Sequence, residues 1–283
     1  RTLPAEAGRP AAAFLEKRMT MAATQDYLDH IGRWRAERLE RLKAEDGWLN
    51  LVGRWDLAPG ITTLGSDPAS AIVLPGGPAH IGTVTLGDDG IVVFTPRDSA
   101  PIRITPDAKV PPRVDAGRFL FEIMSVGDGL SLRARDREHP ARLSFAGIDS
   151  FDLDEGWRIV ADWIPLDQPY EAEVDTMVGT VNKVMVTHKA AFEHDGARYE
   201  LLPSYGTAQA PQFVIRDRTA GTETYPASRF VYGEEIADGT IVLDFNKAIN
   251  PPCAFTDFAV CPLPPAQNVL PFRIPVGEKR LAQ

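Results

Sequence analysis

The sequence predicts an α+β protein that is mainly β, with sandwich- or barrel-like strands and one long α-helix near the N-terminus. Two observations predict this class. Residues 25–44 place apolar side chains at helical spacing, and from Trp48 onward short apolar runs are separated by turns rich in glycine and aspartate. The sequence lacks the regular alternation of helices and strands that is typical of doubly wound nucleotide-binding folds.

The predicted helix over residues 25–44 begins after Thr24, whose hydroxyl can cap the first turn. Basic side chains cluster between Arg33 and Lys43, but acidic ones interrupt them, so we interpret this stretch as a solvated helix face. The apolar stripe of the helix is expected to cover one side of a sheet. It consists of Tyr27, Leu28, Ile31, Trp34, Leu39 and Leu42.

Hairpins are predicted where two apolar runs flank a short turn, and they lie at residues 84–94, 119–135 and 184–202. Further strands are predicted at residues 156–164, 213–215 and 241–243. The first of these is expected to end at Pro165, because proline has no N–H to donate to a ladder.

Prolines and acidic side chains crowd residues 163–176, which favours a domain boundary there. We therefore predict three parts. Residues 1–24 form an N-terminal extension that is expected to be disordered. Residues 25–162 hold the helix and a small β unit, and residues 163–283 form a larger β unit with a proline-rich C-terminal motif.

Composition argues against several classes of partner. The formal net charge of −9 disfavours nucleic acid, because binding it needs basic surface to neutralise phosphates. No apolar run approaches the roughly 18 residues needed to span a bilayer, so no membrane partner is expected. Only two cysteines are present and no secretory signal is visible, so we predict a cytoplasmic protein.

The most distinctive segment of the chain follows the strand predicted at residues 241–243. It runs from Asp244 to Thr256, and its prolines predict a rigid loop rather than a strand. The loop offers a carboxylate, two amides and an ammonium group, on Asp244, Asn246, Asn250 and Lys247. Two roles stay open for these side chains: they satisfy the backbone of the loop itself, or they bind a ligand.

This segment also carries a family resemblance. The motifs concerned are Asp244 to Asn246, Asn250 to Phe255, Cys261 to Pro265, Asn268 and Gly277-Glu278-Lys279, with Asp217-Arg218-Thr219, Glu223-Thr224-Tyr225 and Arg229-Phe230 upstream. With them the chain resembles, over Tyr27 to Lys279, a bacterial family of unknown function numbered 1684. The resemblance implies an identity but no activity, so it leaves open whether the protein is an enzyme.

Two arginines upstream of the C-terminal loop, Arg218 and Arg229, are expected to line a polar pocket together with that loop. Guanidinium groups suit planar carboxylates and phosphates. We therefore predict a small polar or anionic molecule held by Arg218 and Arg229 and oriented by amides of the loop. The predicted ligand-binding residues are Arg218, Tyr225, Arg229, Asp244, Asn246 and Asn250. Alternatively, the arginines pair with nearby carboxylates and tie the fold together.

The two cysteines, Cys253 and Cys261, are too far apart in sequence for a Cys-x-x-Cys redox or zinc motif. The sequence offers no His-Glu-x-x-His pattern either, so neither a metal site nor a cofactor is predicted. We expect two buried thiols that pack against Phe255 and Phe258.

The alternative function is a non-catalytic protein-interaction module. Residues 64–82 are similar in rhythm to forkhead-associated phosphopeptide-binding domains. Ser66 and Gly77 stand where that family has Arg and Ser, so the resemblance extends to a small β unit and not to phosphothreonine recognition. On this view the C-terminal motif only stabilises the fold.

Overall fold

The computed structural model describes residues 24–106 and 111–281, so the predicted N-terminal extension lies outside the described residues except for Thr24. The described chain is mainly β, with three sheets and one long helix, which confirms the predicted class. None of the three sheets closes into a barrel over the described ranges. In the same ranges, no helix has both the length and the apolar character needed to cross a membrane.

Two sheets come from the N-terminal half of the chain. One has the strand order β1-β9-β8-β7, with β1 at Leu51–Asp56, β7 at Arg113–Ala116, β8 at Phe119–Val126 and β9 at Gly129–Asp136. The other has the order β3-β2-β4-β5-β6, with β2 at Gly60–Gly65, β3 at Ile72–Val73, β4 at Gly82–Leu86, β5 at Val92–Pro96 and β6 at Ile102–Ile104. Their inward faces share one apolar core that includes Leu64, Phe94 and Phe121.

The third sheet has the order β12-β11-β10-β16-β15-β14-β13. Its strands are β10 at Arg158–Asp175, β11 at Val181–His194, β12 at Ala197–Leu201, β13 at Tyr205–Thr207, β14 at Ala210–Ile215, β15 at Arg229–Ala237 and β16 at Thr240–Asp244. A second core packs on it, built around Trp157, Trp163, Phe213 and Phe245. All three predicted hairpins are present, as β4–β5, β8–β9 and β11–β12.

Helix α1 spans Gln25–Lys43, one residue shorter than predicted. The Thr24 hydroxyl caps it by accepting the Tyr27 N–H at 3.4 Å. Ile31 and Leu42 are fully buried on its inward face. A short second helix, α2, covers Pro140–Ser144.

The expected strand end at Pro165 is wrong. Strand β10 continues to Asp175, with an irregular register between Pro165 and Tyr170. Strand β16 pairs with β10 only as far as Asp162, so Pro165 lies where one side of β10 is a sheet edge, a position that tolerates proline. The domain boundary placed after residue 162 falls within this strand, and the division into domains stays a prediction.

A buried ion pair fastens the C-terminal segment to β15. The Asp217 carboxylate accepts a hydrogen bond from Arg229 Nη2 at 3.2 Å and another from the N–H of Ile274 at 2.7 Å. Arg229 also donates to the carbonyls of Ile274 and Val276. Both charged side chains are only 2% exposed. Breaking such a pair leaves an uncompensated buried charge, which is costly.

We expect Arg229→Gln to lower the free energy of unfolding by about 3–5 kcal/mol, because it leaves Asp217 buried without its cation. Arg218→Gln is the matched control: Arg218 is exposed, and its loss should change stability by no more than about 0.5 kcal/mol. Urea unfolding of both variants measures this. Equal stability of the two variants would contradict a structural role for Arg229.

Candidate functional site

The C-terminal motif begins where β16 ends and the backbone turns into a short 3-10 helix over Phe245–Lys247. Asp244 caps this turn by accepting the Asn246 N–H at 3.0 Å. Both of its carboxylate oxygens also accept the Tyr27 hydroxyl of helix α1, at 2.9 Å. Burial raises the pKa of Asp244, and these hydrogen bonds oppose that rise. The carboxylate therefore ties the helix to the motif.

The asparagines of the motif bind the backbone of other segments. Asn246 accepts the N–H of Asp154 at 3.0 Å and donates to the carbonyl of the same residue at 2.9 Å. Asn250 donates its amide to the carbonyl of Lys279 at 2.8 Å. Asn268 pairs in the same way with the N–H and carbonyl of Leu202. These amides take the place of a β ladder.

The closing Gly-Glu-Lys motif packs against the start of this loop. The backbone N–H of Glu278 donates to the carbonyl of Ala248 at 2.8 Å. Gly277 has φ of +83°, and a Cβ there would lie 2.7 Å from the same carbonyl oxygen. The conformation and the close approach therefore both require glycine.

Helix α1 supplies a second ion pair at the motif. Arg38 Nε lies 3.1 Å from Glu278 Oε1, and Arg38 Nη2 donates to the carbonyl of Asn250 at 3.1 Å. The Glu278 carboxylate also accepts the backbone N–H of Asn250. Burial raises the pKa of Glu278, while the positive charge of Arg38 opposes that rise.

The remaining predicted site residues lie elsewhere. Tyr225 donates its hydroxyl to the carbonyl of Cys253 at 3.1 Å. Arg218 lines a separate surface cavity with Trp157 and Phe272, and Arg229 is not among the residues that line it. The guanidinium of Arg229 is enclosed by protein groups. The structure therefore does not place the two arginines around one pocket, and it gathers only Asp244, Asn246 and Asn250 under helix α1.

A cavity of about 230 Å³ lies between helix α1 and the motif. Its walls are mainly apolar, with Arg35 and the paired Arg38 and Glu278 as charged groups and Ser150 and Asn246 as neutral polar groups. The lining residues are Trp34, Arg35, Ala36, Arg38, Leu39, Gly147, Ile148, Ser150, Asn246 and Glu278. The volume lies below the roughly 300–1,000 Å³ of drug-sized ligand sites, so it suits a molecule of few atoms.

Arg35 is the distinctive charge of this cavity. It is half-buried, and it donates one hydrogen bond to the carbonyl of Phe151 at 3.3 Å. Burial lowers its pKa, opposed by the more distant charge of Glu278. Among the described residues no carboxylate forms an ion pair with it, whereas Arg38, one turn further along α1, is paired. Arg35 therefore keeps N–H donors for a bound group.

The interpretation of residues 33–43 as a solvated face is wrong for two side chains. Arg33 and Arg41 are exposed, but Arg35 and Arg38 turn towards the motif. A sequence pattern could have shown this only through helical spacing, because Trp34, Arg35, Arg38 and Leu39 lie on one face of the helix. Their partners lie more than a hundred residues away in sequence, beyond the reach of local patterns.

The thiols are free, and only one of them is buried as expected. Cys261 is 1% exposed and Cys253 is half-buried. The backbone N–H of Cys253 donates to Cys261 Sγ at 3.1 Å. Among the described residues, no group of three or more His, Cys, Asp or Glu side chains lies close enough together to hold a metal ion.

Comparison with known proteins agrees with the sequence motif. Residues 143–279 match the family model described as "Protein of unknown function (DUF1684)", which is the family that the motifs resemble. A search of curated proteins gives no match. The chain is similar to the solution NMR structure of an uncharacterized protein from Haloarcula marismortui, with 28% identity over 49% of this chain and 79% of that one and a TM-score of 0.40.

We expect Arg38→Gln to lower the free energy of unfolding by about 3–5 kcal/mol, because it leaves Glu278 buried without its cation. Adding Glu278→Gln should recover part of this loss, giving a coupling free energy of about 1–3 kcal/mol. Arg41→Gln, at an exposed position on the same helix, is the control. Additive effects of the two substitutions in urea unfolding would argue against the pair.

The pair also predicts a pH dependence. The pKa of Glu278 is higher in the folded chain than in the unfolded one, so its protonation favours folding. Wild type should therefore gain stability relative to Glu278→Gln at acidic pH and lose that gain as the pH rises through the folded pKa. Removing Arg38 should move this loss to higher pH. A pH-independent difference between the variants in urea unfolding would contradict the assignment.

Proposed function

We propose that this protein binds a small organic anion in the cavity between helix α1 and the C-terminal motif. The observation that supports this most directly is Arg35, a half-buried cation in a mainly apolar cavity with no carboxylate partner among the described residues. Burial of an unpaired charge is unfavourable, and a ligand carboxylate would relieve it.

The chemistry of the walls narrows the ligand class. A carboxylate bound by Arg35 would leave its carbon skeleton against Trp34, Leu39 and Ile148. The hydroxyl of Ser150 supplies a further donor or acceptor. A net charge of −9 gives the chain no general attraction for anions, so the local cation must select them. A cytoplasmic location, where such metabolites and free thiols are common, is part of the same proposal.

In this proposal Asp244, Asn246 and Asn250 do not bind the ligand directly, unlike in the prediction from sequence. Their carboxylate and amide groups already hydrogen-bond within the protein, so they would shape the cavity floor rather than bind the ligand. Only Asn246 lines the cavity. Binding by Arg218 and Arg229 together is not part of this proposal.

A thermal-shift screen against short mono- and dicarboxylates and inorganic phosphate tests the proposal. A ligand at 100 times its Kd should stabilise the fold by about 2.7 kcal/mol. Arg35→Gln should abolish the shift, and Arg33→Gln, at an exposed position two residues away, should keep it.

Two results would overturn this proposal: no shift with any anion, or an equal shift in Arg35→Gln and wild type. Either would favour the interaction-module alternative. That alternative draws on the exposed apolar side chains of the β2–β6 sheet, of which Ile61 is 73% exposed and Val73 49%.

A further inference from the structure

The tip of the long β10–β11 hairpin packs against the C-terminal motif, which is distant from it in sequence. The N–H of Met177 donates to the carbonyl of Cys261 at 2.9 Å, and the N–H of Leu263 donates to the carbonyl of Asp175 at 2.7 Å. These bonds and a bridge between Thr176 and Pro262 fix the register of the tip. Met177 is thereby held opposite Cys261.

Three sulfur atoms meet at this contact. Cys253 Sγ donates to Met177 Sδ at 3.3 Å. Cys261 Sγ is held in turn by the backbone N–H of Cys253 at 3.1 Å. One thioether and two thiols therefore converge from two segments that lie more than seventy residues apart.

We propose that Met177, Cys253 and Cys261 form a binding site for a soft monovalent metal ion, with Cu(I) as the ion that the ligand set fits best. Thiolate and thioether sulfurs select Cu(I) over harder ions. Structural zinc takes four ligands from Cys, His and carboxylates, and the described residues offer no third such group here.

The surroundings of the sulfurs fit a metal site that can be loaded from solvent. Met177 is 46% exposed and Cys253 half-buried, which gives access, while Cys261 is buried at the base. The Tyr225 hydroxyl donates to the backbone carbonyl of Cys253 and so holds the backbone of that residue in place.

The binding step involves no change of oxidation state. Cu(I) replaces the thiol proton of Cys253 and, when both cysteines coordinate as thiolates, that of Cys261, and the protons pass to the buffer. Met177 contributes a neutral lone pair. Affinity should therefore increase with pH.

The test uses the full reduced chain, without oxygen, in competition with a coloured Cu(I) chelator. Wild type should withdraw one Cu(I) per chain. Cys253→Ser should abolish binding, and Met177→Leu, which keeps the size of an exposed side chain, should weaken it at least tenfold. Met185→Leu, at another exposed methionine, is the matched control and should bind as wild type.

If the chelator keeps its Cu(I) in the presence of wild type, the proposed site is wrong. So would equal affinity of Met177→Leu and Met185→Leu, because that result would remove the thioether from the ligand set. Arg35→Gln should leave copper binding unchanged, so the outcome is independent of the anion proposal. X-ray absorption of the loaded chain should show only sulfur neighbours, and a nitrogen or oxygen shell would contradict the assignment.

Discussion

The fold depends on satisfying the buried polar groups of the segment that follows β16. Asp244, Asn246 and Asn250 are all at most 2% exposed, so their side chains cannot form hydrogen bonds with bulk water. Each side chain has at least one protein partner instead: the Tyr27 hydroxyl, the backbone of Asp154 or the carbonyl of Lys279. An unpaired buried polar group costs about 1–3 kcal/mol, so these bonds hold helix α1 and the C-terminal end together.

This use of polar side chains decides where chemistry can occur. The motif looks like a binding site in sequence because it is rich in amides and charges, but most of its donors are bonded to the backbone. The groups that can still bind a ligand lie on either side of the motif. On one side Arg35 faces a small cavity, and on the other Met177 and Cys253 reach the surface beside the buried thiol of Cys261.

Local patterns predicted the helix and the hairpins because periodicity and turn residues act over a few positions. Helix α1 and the β8–β9 hairpin are examples. Local patterns could not predict contacts between residues that are distant in sequence. The continuation of β10 past Pro165 depends on which strands flank it. The inward orientation of Arg38 depends on its ion pair with Glu278. The ligand-binding role of the motif residues stays a prediction for the same reason, since sequence cannot show which donors the backbone uses.

Native-state hydrogen exchange is the most direct test of the claim that the motif holds helix α1. The amides of Asn246, Ile249 and Asn250 are bonded within the motif or to β15 and the C-terminal segment. They should exchange only through global unfolding, with the same opening free energy as the amides around Ile31. Exchange of the helix at a clearly lower free energy, while the motif stays protected, would contradict the account.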